Sequence, residues 1–301
     1  MMMQRSASAV RVWAPAKVNL FLEVLARRPD GYHELATLMV AVSLYDTLEF
    51  TERSQTGSGN EEGVTTLRCD HPSLSTGPDN LICRAVERVR REAGRRESVG
   101  IRLWKRIPMA AGLAGGSSDA AATLAGLNRL WRLGWDRDKL IRLGAELGSD
   151  VSFFFAAPAA WCTGRGEQVE PLRLGRALDL VLIAPPLGLS TAAVFRGVTV
   201  PRSPRSGAAI RQAAAEGDVN ELGRQLHNRL QPVAEQLCPA VADLSARLAG
   251  LGPAGQLMTG SGSTVFALCR DPGEALRLAR ALNSAREELG GARVFVVRSC
   301  H

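Results

Sequence analysis

Residues 108–119 read Pro-Met-Ala-Ala-Gly-Leu-Ala-Gly-Gly-Ser-Ser-Asp, a glycine- and serine-rich turn with the composition of an anion cradle. Upstream, residues 99–108 alternate as a half-buried strand closed by Pro108. Downstream, Ala120, Leu124, Leu127 and Trp131 recur at helical steps on one face. The turn therefore opens a helix, with Ser117, Ser118 and Asp119 as the start signal and Gly134 as the stop. At a helix N-terminus the leading N–H groups lack intrahelical partners and the macrodipole adds about half a positive charge, so phosphate oxygens are favoured. Gly112, Gly115 and Gly116 let the backbone take positive φ and approach a ligand. No Gly-Lys-Ser/Thr follows, which excludes a Walker A loop, and the spacing is not the Gly-x-Gly-x-x-Gly of dinucleotide folds. Taken alone, such a loop is equally a connector that turns a corner.

Phosphoryl transfer also needs cations for developing charge and a group to receive the acceptor's proton. Asp150 ends a Gly148-Ser-Asp150 turn before the apolar residues 151–155, where a carboxylate could project into a cleft. In isolation a turn aspartate more commonly satisfies local N–H groups. Lys17 interrupts the apolar run 14–22, which is costly unless its ammonium finds an anion, although a strand lysine ordinarily faces solvent. Tyr32 and His33 follow an Asp30-Gly31 turn and read as a hairpin tip with an exposed aromatic. By local reading alone Asn80 is a helix N-cap, Lys105 a solvated strand residue and Phe195 a core residue.

These groups need elements to hold them. Strand patterns cover residues 10–13, 19–25, 36–42 and 46–51, and residues 54–63 read as a polar loop tip. Helices are expected at 81–93, 138–146, 208–216, 218–227, 234–237, 240–248 and 273–288. Further strands are expected at 178–184, 256–258, 265–269 and 292–298, with a Pro/Arg/Ser-rich loop at 199–207. Strands and helices mix without regular β-α-β alternation, so the fold class is α+β rather than a doubly wound sheet.

The 301 residues suffice for one large or two medium domains, and 46% hydrophobic content supports a substantial core. A net charge of +7 suits an anionic ligand, but the basic residues are scattered rather than gathered in a patch. Cys69, Cys83, Cys162, Cys238, Cys269 and Cys300 form no Cys-x-x-Cys pair, and the four histidines have no zinc spacing with them. The expectation is a cytoplasmic protein with reduced thiols, no membrane span, no targeting segment and a frayed start over residues 1–9.

Three loops in order raise the phosphate reading above coincidence. Residues 14–22, 108–119 and 257–267 resemble the three motifs of the GHMP family of small-molecule kinases, whose second motif is Pro-x-x-x-Gly-Leu-x-x-Gly-Ser-Ser-x. The resemblance runs from about residue 10 to the end. It implies a two-lobed GHMP kinase fold, with an N-terminal lobe of the type shared with RNA-binding ribosomal proteins and the active site in the cleft between lobes. The lobes would span 1–165 and 166–289, with 290–301 available to complete the first. Within the family, Pro15-Ala-Lys-Val-Asn-Leu-Phe-Leu22, Arg28-Pro-Asp-Gly-Tyr-His33, Asp79-Asn-Leu-Ile82 and Gly148-Ser-Asp-Val-Ser-Phe-Phe154 are similar to members that act on a cytidyl-linked methylerythritol. The implied reaction is ATP-dependent phosphorylation of its 2-hydroxyl in the non-mevalonate route to isoprenoid precursors.

The resemblance makes Asp150 the acceptor of the hydroxyl proton and Lys17 the cation that keeps it ionised and offsets charge on the acceptor oxygen. Pro108, Gly112, Leu113, Ala114, Gly115, Gly116, Ser117 and Ser118 would hold the ATP phosphates, with Asn80 near the adenine and Lys105 near the sugar or phosphates. Tyr32 and Phe195 would sandwich the cytosine while His33 bonds its edge. Thr191 would lie by the diphosphocytidyl group and Asn19 by the methylerythritol hydroxyls, with Gly260 and Ser261 of the third loop also on the substrate. Mg²⁺ is implied as the ATP counterion, approached by Ser117 or Ser118, with no protein ligand otherwise assigned. Ala110, Ala111 and Ala114 stand where glycines are frequent in similar enzymes, and Ala192 replaces an expected proline. Other acceptors, such as homoserine, mevalonate or a sugar, have no base for Tyr32, His33 and Phe195. A nucleic-acid binding module would leave the three loops and Asp150 without a purpose, so small molecules are the expected partners.

Overall fold

Two long stretches of β-rich sequence open the chain, and each folds as one continuous strand. The structure, a computed structural model, describes residues 1–6, 8–52, 63–156, 158–285 and 287–300. Its strands are β1 (Met2–Arg5), β2 (Ala9–Arg27), β3 (His33–Glu52), β4 (Thr65–Cys69), β5 (Val99–Trp104), β6 (Ala159–Gly164), β7 (Gln168–Pro171), β8 (Asp179–Ala184), β9 (His227–Asn228), β10 (Gly255–Met258), β11 (Val265–Cys269) and β12 (Arg293–Arg298). Its helices are α1 (Leu81–Ala93), α2 (Gly115–Leu130), α3 (Arg137–Leu147), α4 (Phe153–Ala156), α5 (Thr191–Gly197), α6 (Ala208–Glu216), α7 (Val219–Gln225), α8 (Gln231–Leu237), α9 (Pro239–Gly250) and α10 (Pro272–Ser284).

The four strand segments expected at the start merge into β2 and β3 because the polar residues along them have partners. Lys17 and Asn19 are each 3% exposed and hydrogen-bonded, so neither breaks the strand. The start expected to fray pairs instead, β1 running antiparallel to β2 with Met2 opposite Trp13. The helix expected over 273–288 ends at Ser284, and that over 218–227 ends at Gln225, where the chain turns into β9. Ala7, Arg286, His301 and residues 54–62 of the expected loop lie outside the described residues.

The chain folds as two units that interleave in sequence. One comprises Met1–Ala16, Tyr45–Ile107 and Gly115–Phe155; the other comprises Lys17–Leu44, Pro108–Ala114 and Ala156–His301. Lobes divided at 165/166 would instead have placed Lys17–Leu44 and Pro108–Ala114 with the first unit.

In the first unit β5 lies between β3 and β4, antiparallel to β3 with Thr47 opposite Trp104 and parallel to β4 with Thr65 opposite Val99. Helices α1, α2 and α3 pack on one another. Gly126 of α2 accommodates Phe50 of β3, since a Cβ at Gly126 would come within 2.5 Å of that buried ring. Helix α1 is capped at both ends, by the Asn80 side chain accepting from Ile82 N–H at 2.8 Å and by Gly94 in the left-handed region at φ 63°.

In the second unit β3 pairs with β6 and β2 pairs with the short β9, Phe21 opposite His227. A separate antiparallel sheet runs β10-β11-β8-β12. All six residues of β8 are buried. Val181 and Ile183 share a core with Val241, Leu244 and Leu248 of α9 and Leu278 of α10. Each such side chain contributes about 1.5–3 kcal/mol by leaving water, and this core supports β10 and the loop that follows it.

Candidate active site

Lys17 and Asn19 stand two residues apart on β2, so both side chains leave one face. Lys17 Nζ donates to Asn19 Oδ1 at 2.6 Å and to the Gly112 carbonyl at 2.9 Å. Asn19 Nδ2 donates to Thr37 Oγ1 at 2.8 Å, and Asn19 N–H donates to Thr259 Oγ1 at 2.9 Å. The second and third glycine loops meet within the same unit, where Thr264 N–H donates to the Ala111 carbonyl at 3.3 Å. Two glycines permit the approach. A Cβ on Gly112 (φ 75°) would lie 2.1 Å from the Thr259 carbonyl oxygen, and one on Gly260 (φ 56°) would lie 2.8 Å from the Gly112 carbonyl and 3.1 Å from Lys17 Nζ. The structure thus brings together Lys17, Asn19, Gly112 and Gly260 from three expected motifs.

The residues expected on the nucleobase belong to this unit as well. Gly31 turns at φ 84° and Arg28 N–H donates to the Tyr32 carbonyl at 2.8 Å, giving the expected tip between β2 and β3. Tyr32 is 54% exposed, with the Arg165 guanidinium 4.9 Å from its ring centre. His33 stacks on Phe195 of α5, ring centres 5.3 Å apart and planes inclined by 28°. Burial, helped by the nearby Arg27 charge, lowers the His33 pKa, so its imidazole is neutral at pH 7 and offers one donor and one acceptor. Thr191 opens α5, whose N-cap is Ser190, and its Oγ1 lies 2.9 Å from Ser261 Oγ.

In the first unit α2 begins at Gly115, two residues before the expected Ser117-Ser118-Asp119 start. Ala114 at φ 53° precedes it, and of the three glycines expected at positive φ only Gly112 takes it, Gly115 and Gly116 being helical. Both serines therefore lie in the first turn, among N–H groups free of intrahelical partners. Beneath that turn Lys105 is buried rather than solvated. Its Nζ is bonded to Asp46 and lies 2.8 Å from Asp119 Oδ2, with side chains 4%, 0% and 4% exposed respectively. A Cβ on Gly115 would stand 2.8 Å from that ammonium. Asp46 Oδ1 also accepts from Arg106 and Ile107 N–H at 2.6 and 2.9 Å. Burial would lower the Lys105 pKa, but the two carboxylates raise it above the ordinary lysine value. Burial pushes Asp119 up to about 7 against the Lys105 attraction, with Asp46 adding to the rise. Asp119 Oδ1 and Ser118 Oγ are buried with no hydrogen-bond partner among the described residues. Asn80 serves as the α1 cap and donates to the Ser75 carbonyl at 2.6 Å.

Asp150 follows α3 in a half-buried turn closed by Val151 N–H donating to the Gly148 carbonyl at 3.2 Å. The turn is anchored by what comes next. Val151, Ser152 and Phe153 are fully buried, and Ser152 Oγ donates to the Ile141 carbonyl of α3 at 3.0 Å.

Ala110, Gly112 and Ala114 all take positive φ, at 51°, 75° and 53°. In that region a Cβ crowds the backbone, a cost that glycine would not carry. Ala110→Gly and Ala114→Gly are each expected to raise stability by about 1 kcal/mol, read from urea midpoints at unchanged slope. Equal or lower midpoints would rule out strain at these positions.

Several residues of these clusters escaped sequence reasoning. Thr37, Asp46, Asn228 and Glu23 have partners far away in the chain. For Glu23 a signal existed, the one that singled out Lys17, namely a charge inside an apolar strand run.

Residues 80–157 match the model for the GHMP kinases N terminal domain and residues 210–288 that for GHMP kinases C terminal, and the chain belongs to the GHMP kinases. Over 284 residues it is 40% identical to the 4-diphosphocytidyl-2-C-methyl-D-erythritol kinase of Pelotomaculum thermopropionicum, covering 94% of this chain and 96% of that one. A crystal structure of 4-(cytidine 5'-diphospho)-2C-methyl-D-erythritol kinase is similar throughout, with TM-score 0.77 and 35% identity over 97% of this chain and 100% of that one. The homoserine kinase of Cytophaga hutchinsonii shares the fold, with TM-score 0.75 at 17% identity over 100% of this chain and 97% of that one. The architecture is thus the α+β GHMP kinase fold. Among the described residues no helix is long and apolar enough to cross a membrane.

Proposed function

We propose that this chain transfers the γ-phosphoryl group of ATP to the 2-hydroxyl of 4-diphosphocytidyl-2-C-methyl-D-erythritol, in the cytoplasm and on the way to isoprenoid precursors. The observation that carries the acceptor is the set of rings Tyr32, His33 and Phe195 in the unit that holds the Lys17 cluster. Stacking is worth about 1–3 kcal/mol per base, and a neutral His33 suits the polar edge of a cytosine. The near full-length likeness to kinases of this acceptor supports the same reading.

In this mechanism Asp150 orients the 2-hydroxyl and takes its proton as the oxygen bonds to the γ-phosphorus and the bond to the leaving ADP oxygen breaks. Lys17 offsets charge on the acceptor oxygen. Leu113, Gly116, Ser117 and their neighbours in the loop present backbone N–H groups to the phosphates, Pro108, which has no N–H, sets the entry to that loop, and Asn80 and Lys105 line the nucleotide side. Thr191, Ser261, Gly260 and Asn19 hold the diphosphocytidyl alcohol. Among the described residues no three His, Cys, Asp or Glu gather to hold a metal by themselves. The unpartnered Ser118 Oγ and Asp119 Oδ1 are hard oxygens of the kind Mg²⁺ takes alongside nucleotide phosphates, and these two would hold it. Bound there it would neutralise phosphate charge.

The test is ATP turnover with the cytidyl substrate beside the same sugar phosphate lacking the cytidyl group. The expected loss of kcat/KM without the base is about 100-fold or more. Equal turnover of both would move the enzyme to another acceptor.

A further inference from the structure

We infer that Asn228, braced by Glu23, positions the third glycine loop against Lys17, and that phosphoryl transfer depends on this brace. The role in transfer rests on the kinase reading above; the brace itself rests on geometry.

β9 is two residues long and pairs parallel to β2, Phe21 opposite His227 and Leu22 opposite Asn228, with Arg229 N–H donating to the Leu22 carbonyl at 2.8 Å. So short a ladder is held by side chains. Glu23, next on β2 and fully buried, accepts from Arg229 Nε and Nη2 at 2.7 and 2.8 Å and from Arg205 N–H at 2.9 Å. It also accepts from Val24 N–H at 2.9 Å and lies 3.1 Å from His227 Nε2. Burial would raise the Glu23 pKa, but Arg229 and the two backbone N–H groups outweigh it and hold the carboxyl at about 2. The anchor is therefore charged throughout the working pH range.

Asn228 sits between the flanking anchors His227 and Arg229 and is 5% exposed. Its Nδ2 donates to the Met258 carbonyl at 2.7 Å and to the Gly260 carbonyl at 2.8 Å, while Oδ1 accepts from Leu230 N–H at 2.9 Å. One amide thus grips the carbonyls on either side of Thr259. Thr259 Oγ1 receives Asn19 N–H, and the Gly260 Cα stands where an added Cβ would lie 3.1 Å from Lys17 Nζ. Lys17, Asn19 and Glu23 share one strand. The loop is consequently tied to that strand twice, directly through Asn19 and through the circuit Glu23, Arg229 and Asn228. Errors of about 1 Å in such placement cost about 100-fold in rate.

The test uses Asn228→Ala in the full chain, with Val89→Ala, a core truncation in α1 of the first unit, away from the third glycine loop, as a destabilised control. Asn228→Ala is expected to speed backbone amide exchange over residues 259–264 about tenfold. It is also expected to lower kcat at least about tenfold while the KM for ATP stays within about threefold. Val89→Ala, destabilised in a core that does not carry that loop, should do neither. Unchanged exchange over 259–264 would overturn the brace whatever the acceptor is. Faster exchange with kcat within about threefold of the parent would overturn the role in transfer, as would Val89→Ala reproducing both effects. A parent protein inactive on the cytidyl alcohol would remove the kinase reading, and with it the transfer role, while the exchange measurement still decides the brace.

Discussion

Asp150→Asn is expected to lower kcat by about 1,000-fold, within the range of about 100- to 10,000-fold that a positioned proton acceptor supplies. An alcohol is far too weak an acid to be deprotonated before attack, so the carboxylate contributes as the new bond to phosphorus forms. Asparagine keeps the size and one acceptor oxygen but cannot receive the proton. The substitution should leave the fold intact, because the turn is anchored by the buried Val151, Ser152 and Phe153 and by the Ser152 bond to α3. ADP affinity by calorimetry and the melting temperature are therefore expected to match the parent. A variant retaining more than about a tenth of the parent kcat would remove Asp150 from this role. Loss of ADP binding alongside kcat would instead indicate collapse of the turn.

What the sequence disclosed about this site follows from the range of the forces involved. Helices with local signals came out at their observed bounds, α1 between Asn80 and Gly94 and α6 over Ala208–Glu216, because caps and periodicity are written within a few residues. β11 likewise matched, as a short apolar run after a glycine loop. The helix pattern over 218–227 runs one residue into β9, at His227, since two residues carry no period and their partner is on β2. α5, seven residues long, is defined mostly by its Ser190 cap and by packing of Val194 and Phe195 on the core. Lys105 shows the same limit for chemistry. Its default as a solvated lysine is reversed by Asp46, 59 residues upstream. The glycine loops were legible because the close approach at Gly112 and Gly260 leaves no room for a Cβ, whereas Asn228 is an ordinary residue type whose carbonyl partners are 30 residues or more away.

The fold is shared with kinases of other alcohols, so what distinguishes this chain lies in side chains laid on a common frame. The frame places a cation on β2 and folds two glycine loops over it. The tip between β2 and β3 and helix α5 then add aromatic rings, with His33 on Phe195 and Thr191 beside Ser261. In the proposed mechanism the same strand carries the general part of the site at Lys17 and leads at its far end into the specific part at Tyr32.

Lys17→Met should reveal how far that general part depends on one ammonium. Methionine keeps most of the stem, so the loss is chiefly of charge and of donors. Two acceptors, Asn19 Oδ1 and the Gly112 carbonyl, now take protons from Nζ at 2.6 and 2.9 Å in a place only 3% exposed. Depriving buried acceptors of a donor costs about 1–3 kcal/mol each, and Asn19 Oδ1 keeps only the 3.3 Å bond from the Thr259 hydroxyl. A stability loss of about 2–4 kcal/mol is therefore expected by urea unfolding. The effect on turnover should be larger, about 1,000-fold in kcat, because a preorganised cation in a dry site contributes most where charge develops. Asn19→Ala separates the two contributions, since it removes one acceptor and leaves the ammonium in place. It should cost stability in similar measure and kcat by no more than about tenfold. If Asn19→Ala loses as much activity as Lys17→Met, the ammonium is a structural pin for the Gly112 loop and not the group that offsets charge during transfer.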